Sequence, residues 1–136
     1  MSAFTWQVRV YYEDTDSGGV VYYANYLRFM ERARTEWMRS LGFEQDQLTR
    51  EEGILFAVRS ANVEFLRPAH FNDLLSVGLD IVHRGRASLT FSQSVTRCAD
   101  EQLLCSGEIK IACLDAASFR PRPIPDNILK EIPNDI

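Results

Sequence analysis

The residues predict an α+β fold in which a curved antiparallel sheet of about five strands wraps around one long helix. Three observations carry this. Residues 4 to 12 alternate apolar and polar with a period of two. Residues 24 to 41 change to the three-and-four spacing of an amphipathic helix. Residues 54 to 113 then return to strand-like runs joined mostly by short turns. Strands gathered about one segregated helix define an antiparallel sheet covering that helix. At 136 residues the chain reads as one domain, 1–136, with an irregular tail from about residue 119.

Phe4, Trp6, Val8, Val10 and Tyr12 lie on one face of the first strand, opposite Thr5, Gln7 and Arg9. In the helix, Tyr26, Met30, Ala33, Trp37 and Leu41 form the apolar stripe, widened by Leu27 and Met38. Arg28, Glu31, Arg32, Arg34, Glu36 and Arg39 fill the polar remainder. Gly42 suits the C′ position, and Asn25 or a backbone group just before it suits the start. Residues 44 to 52 predict a short helix or turn. The next strand covers 54 to 66, with Ala61, Val63 and Phe65 on one side, and Pro68 stops it. Leu75 to Ile81 alternate, His83–Arg86 makes a hairpin turn, and Ala87 to Thr96 alternate again. After a turn at Ala99–Glu101, Leu103, Cys105, Ile109, Ile111 and Cys113 give the last strand its apolar face. Open sheet edges invite pairing with a second copy.

The composition, 46% apolar and 25% charged, is that of an ordinary soluble globular domain. A net charge of -4 argues against nucleic acid as the main partner. No run is long and apolar enough to span a bilayer, and the N-terminus lacks the basic lead and apolar core of a signal peptide. Cys98, Cys105 and Cys113 form no C-x-x-C pair and are odd in number, which fits a reduced, cytoplasmic protein.

The chemistry concentrates between Val10 and Tyr26. A strand runs into Glu13, Asp14 and Asp16; Gly18 and Gly19 follow; the long helix then begins. A helix N-terminus offers free N–H groups and partial positive charge to a developing oxyanion. A carboxylate beside it can attack an acyl carbon or activate a water.

Arg9-Val10, Thr15-Asp16, Gly19-Val20-Val21 and Tyr23, at this spacing, resemble the active-site signature of the hotdog-fold 4-hydroxybenzoyl-CoA thioesterase family. Residues 11–16, Glu31–Glu36 and Val63–Ala69 look more closely like the Tol-Pal-associated (YbgC-type) acyl-CoA thioesterases. Arg84-Gly85 followed by Ser88 is also similar. The likeness runs to about residue 125. It implies a homo-oligomeric acyl-CoA thioester hydrolase needing no cofactor, coenzyme A being part of the substrate. Asp16 matches the catalytic aspartate, as nucleophile or general base. Tyr23 matches the residue whose backbone N–H polarises the thioester carbonyl. The chain departs from the Tol-Pal-associated pattern at Tyr23, where histidine is usual, and at Ser17, where alanine is usual. Gly19, Val20, Val21, Tyr22 and Tyr26 are the expected substrate contacts, and Arg84 the preferred contact for coenzyme A phosphates.

Other readings weigh less. Glu13 and Asp14 read as neighbouring solvated carboxylates; a metal site with Asp16 would lack further oxygen ligands. The same carboxylates would repel a phosphate from Gly18-Gly19. Glu31 and Glu64 read as ion-pair or hydrogen-bonding residues, and His70 and His83 as surface residues. Arg59, Arg67 and Arg86 are further phosphate candidates, ahead of Arg120 and Arg122. A dehydratase on the same fold would need a histidine with a glutamate or aspartate in other motifs. The alternative function is a non-catalytic scaffold for acyl carrier protein and lipid-synthesis partners. Otherwise a homodimer with its site at the subunit interface, or a tetramer, is expected.

Overall fold

The computed structural model describes residues 2–132. The elements run β1 (Phe4–Arg9), a 3-10 turn (Tyr12–Asp14), α1 (Tyr23–Ser40), α2 (Gln45–Glu52), β2 (Ile54–Phe65), β3 (Leu74–Arg84), β4 (Ser88–Arg97), β5 (Gln102–Asp115) and α3 (Asp126–Leu129). The five strands form one sheet in the order β1-β3-β4-β5-β2, every pair antiparallel. One face of the sheet packs on α1.

α1 buries Tyr26, Phe29, Met30, Ala33, Trp37 and Met38 against Leu75, Val77, Leu79, Leu89, Phe91 and Val95 from the sheet. The expected stripe of Tyr26, Met30, Ala33 and Trp37 is buried, with Met38; it is widened by Phe29, fully buried, and not by Leu27, which is exposed. Arg34 also turns inward, although its charge places it on the polar side by pattern. The helix ends in a Schellman motif: Gly42 N–H donates to the Arg39 carbonyl and Phe43 N–H to the Met38 carbonyl, both at 3.0 Å. Gly42 takes φ +96°, which disfavours a side chain there.

The last strand departs from simple alternation. Val95 pairs with Cys105 but Thr96 with Leu103, so Leu104 is an extra residue in β5. This bulge buries Leu104 and exposes Leu103, the reverse of the expected pattern. A second irregularity at Arg59 divides β2. Beyond it Ala61 and Phe65 are exposed, because β2 is an edge strand whose far half runs past the core.

The expected irregular tail is more ordered than its prolines suggest. Pro121 bridges Leu114, α3 forms, and Ile124, Ile128 and Ile132 are buried in the common core. Residues 133–136 of that stretch lie outside the described residues.

Candidate active site

The site is built where β1 gives way to α1. Val10 is buried and its N–H donates to the Asp73 carbonyl at 2.9 Å, which stops β1 and turns the chain. After the 3-10 turn, Thr15 bridges Val21 and closes a small loop. Within it Asp16 N–H donates to the Val20 carbonyl (2.9 Å) and Gly19 N–H to the Asp16 carbonyl (3.0 Å). The Asp16 Oδ1 accepts the Gly18 N–H at 2.8 Å, a local Asx turn that fixes the direction of its side chain. Gly19 has φ +79°; a Cβ there would meet nothing within 4 Å, so conformation rather than space calls for glycine. The loop is moored to the segment before β3, where Val20 bridges His70 and Val21 N–H donates to the Ala69 carbonyl (2.9 Å).

α1 starts just beyond this loop. Tyr22 is the N-cap, and no side chain caps the helix. Asn25 is therefore not the cap. Its own N–H donates to the Tyr22 carbonyl at 2.8 Å, while Tyr23 and Ala24 N–H, in the first turn, take no acceptor among the described residues. Two open donors and the positive end of a five-turn helix thus sit beside the loop that carries Asp16. Asp16 itself is exposed.

A cleft of about 240 Å³ opens next to the helix start, lined by Val21, Tyr23, Tyr26, Phe65, Leu66, Arg67 and Pro68. Phe65 comes from the exposed end of β2. It meets Tyr23 edge-on (centroids 5.8 Å, 74°) and Tyr26 at 5.7 Å. Tyr26 is buried, and its hydroxyl accepts the Ala69 N–H at 2.9 Å, so the ring is a fixed wall. Burial pushes its phenol up from the ordinary value. Two larger hollows, of 520 and 540 Å³, lie on the outer sheet face among polar side chains, and one of 350 Å³ lies beside α1 at Leu27, Arg28 and Val58.

Of the expected contacts, Val21, Tyr23 and Tyr26 line this cleft, while Gly19, Val20 and Tyr22 lie on the stretch of chain that joins Asp16 to the helix start. Arg84 is not among them. Its Nη1 donates to the carbonyls of Leu129 (3.3 Å) and Ile132 (3.0 Å), fastening the C-terminal segment. Asp14 also departs from expectation: it is buried, with Oδ1 accepting from the Asn25 amide (2.8 Å) and Oδ2 from Tyr11 N–H (2.9 Å). Residues overlooked by pattern are Asp14, Asn25 and Phe65. The only signal for Asn25 was its position beside Tyr26, on the helix face that Phe29 and Ala33 continue.

A long helix covered by a five-stranded antiparallel sheet is the arrangement of the hotdog fold, the fold of a class of thioesterases. The comparisons agree. The Thioesterase-like superfamily matches residues 10–132, and the chain belongs to this family. The acyl-CoA thioester hydrolase YbgC of Escherichia coli O6:H1 is 43% identical over 128 residues, 94% of each chain. The acyl-CoA thioesterase YbgC of Haemophilus influenzae is 39% identical over 127 residues, 93% of this chain and 92% of that protein. A crystal structure of a 1,4-dihydroxy-2-naphthoyl-CoA thioesterase from Synechocystis superposes with a TM-score of 0.88 at 25% identity, covering 95% and 94% of the two chains. The protein is accordingly an enzyme of the thioester-hydrolase class. No helix among the described residues is long and apolar enough to cross a membrane.

Proposed function

We propose that the chain hydrolyses an acyl-CoA thioester to a carboxylic acid and coenzyme A, with Asp16 as nucleophile or general base. The observation that carries this is the Asp16 turn beside the open N–H groups of Tyr23 and Ala24. The thioester carbonyl accepts from the helix end, which stabilises negative charge as the carbon becomes tetrahedral. Asp16 either attacks that carbon, forming an anhydride that water opens, or removes a proton from an attacking water. In both routes the C–S bond breaks and the sulfur leaves as coenzyme A thiolate. A thioester is already an activated acyl group, so the reading needs no metal and no cofactor. Tyr23 contributes by its backbone, which a change from histidine to tyrosine leaves in place.

The acyl group is assigned to the cleft bounded by Tyr23, Tyr26 and Phe65. The active unit is assigned as a homodimer with the site at the interface, and pairing of two such dimers gives a tetramer. The support is the outer edge of β2, which pairs with no strand among the described residues and carries exposed Val58 and Phe65, with exposed Leu66 just beyond its end. Acyl carrier protein presents the same pantetheine thioester and is the proposed protein partner. Three unpaired cysteines support a cytoplasmic setting.

The test is thiol release from short, long and aromatic acyl-CoAs by wild type and Asp16→Asn. Release that is lost in the variant, with its circular dichroism unchanged, supports the reading and names the acyl class. Release unaffected by the substitution refutes the role of Asp16. A wild type that captures acyl carrier protein and releases no thiol moves the scaffold reading to the front.

A further inference from the structure

Three carboxylates precede the helix, and only Asp14 is buried. A carboxylate placed just before a helix ordinarily accepts the N–H of the second or third helical residue. Asp14 is close enough to do so, since its own carbonyl accepts the N–H of the N-cap residue Tyr22 at 3.0 Å. It does not. Its Oδ2 takes the Tyr11 N–H, and its Oδ1 takes the side-chain amide of Asn25, which reaches back from the first turn of α1. The Asn25 backbone N–H is meanwhile satisfied by the Tyr22 carbonyl. Asn25 thus intercepts the one buried anion near the helix end, and the N–H groups of Tyr23 and Ala24 stay open.

We infer that Asn25 is a positioning residue whose side-chain amide holds the Asp14 carboxylate off the helix end, so that the first-turn donors remain available to the substrate carbonyl. The catalytic part of this inference rests on the thioesterase reading; the part about which group occupies the donors does not. Without the amide, Oδ1 of Asp14 is left buried and short of a partner, and in this inference it turns to the open N–H groups of Tyr23 and Ala24. The helix would then be capped from within and the site blocked by its own carboxylate.

The experiment compares wild type, Asn25→Ala and the double variant D14N/N25A. Asn25→Ala is expected to lower kcat by about tenfold or more, with KM changed by less than about threefold, because a donor to the developing oxyanion is lost. In its amide proton spectrum, Tyr23 or Ala24 moves to the position of a hydrogen-bonded amide, and this shift is absent in the double variant. The double variant regains at least about threefold in kcat over Asn25→Ala, since an amide at position 14 can keep the Tyr11 bond while turning donors toward the helix. Asn25→Ser, too short to reach Asp14, carries the same expectations should Asn25→Ala not fold. A pair that is merely structural gives a double variant no better than the single one and unchanged Tyr23 and Ala24 amides; either result overturns the inference. The amide spectra decide it even where wild type releases no thiol, a result that would refute only the hydrolase reading.

Discussion

Arg34 and Gln93 meet inside the core. The Arg34 Nη1 donates to Gln93 Oε1 at 2.9 Å, with the two residues 7% and 1% exposed. Gln93 Nε2 then donates to the Met30 carbonyl at 3.0 Å, so one β4 side chain serves both a guanidinium and the backbone of α1. Burial pushes the Arg34 pKa below its ordinary value, and Glu31 works against that shift. Gly107, the β5 partner of Gln93, is closely covered by β2. A Cβ there would lie 2.7 Å from the Asn62 carbonyl oxygen.

Gln93→Leu is expected to destabilise the fold by about 2–3 kcal/mol, because it leaves a buried cation without its acceptor. Arg34→Met alone strands the glutamine instead. The double variant R34M/Q93L should cost about 1 kcal/mol or more less than the sum of the two, the sign of a direct coupling. Guanidinium denaturation of the four proteins measures this. Strict additivity would mean that the bond contributes nothing.

The same pair shows where pattern reading stops. The period of two in β1, β3 and β4, and the three-and-four spacing of α1, place most of the core because burial of apolar side chains dictates both. Arg34 and Gln93 break the rule from opposite sides: each satisfies the other, and neither shows this in one dimension. Asp14 and Asn25 are a second such couple. Leu103 and Leu104 exchange roles because a bulge is decided by the pairing of β4 with β5. The turn at Asp16 and Gly19 and the helix start beside Tyr23 were legible in place, because a glycine turn running into a helix is a local pattern; the roles given to them rest on the family likeness. Phe65 was not, since its place depends on β2 folding back beside the helix start.

Phe65 is the wall of the cleft that comes from another element, so it should set acyl preference rather than rate. Phe65→Ala is expected to reduce kcat/KM for an aromatic acyl-CoA by roughly 3- to 10-fold, the worth of an aromatic contact. Short aliphatic substrates should lose less. Equal losses across the panel would place the acyl group elsewhere.

The cysteines should differ in reactivity. Burial pushes the Cys105 thiol up to about 12 and the Cys113 thiol up to about 11, leaving almost no thiolate at pH 8. Cys98 is only half-buried. Titration of the native protein with a disulfide reagent should therefore modify one thiol per chain quickly. The other two should react on unfolding. Three fast thiols in the native state would contradict the buried placement of β5.

Acid should weaken the turn after β5. Asp115 Oδ2 accepts the Ser118 N–H (3.0 Å), its hydroxyl (3.1 Å) and the Ala117 N–H (3.1 Å), which together hold the carboxyl below its ordinary value. A depressed pKa adds stability above the unfolded-state value, and that stability is lost as pH falls through the folded-state value. Asp115→Asn should thus lower Tm at pH 7, and the gap to wild type should close below about pH 4. A gap independent of pH would assign the effect to geometry rather than charge.

Arg84 links two questions in one side chain. Its bonds to the Leu129 and Ile132 carbonyls satisfy acceptors at the end of α3, beside the buried Ile128 and Ile132. Arg84→Met removes both bonds and should cost about 1–3 kcal/mol, with faster proteolysis of the C-terminal segment. The phosphate role expected of this residue makes a different demand. An arginine that binds the nucleotide phosphates raises KM for an acyl-CoA when lost, and leaves KM unchanged for an acyl-pantetheine that lacks them. A lowered Tm with equal KM changes for both substrates assigns Arg84 to the tail alone. A selective rise with acyl-CoA assigns it to the phosphates as well, since Nη1 serves the tail and the guanidinium has other donors to present.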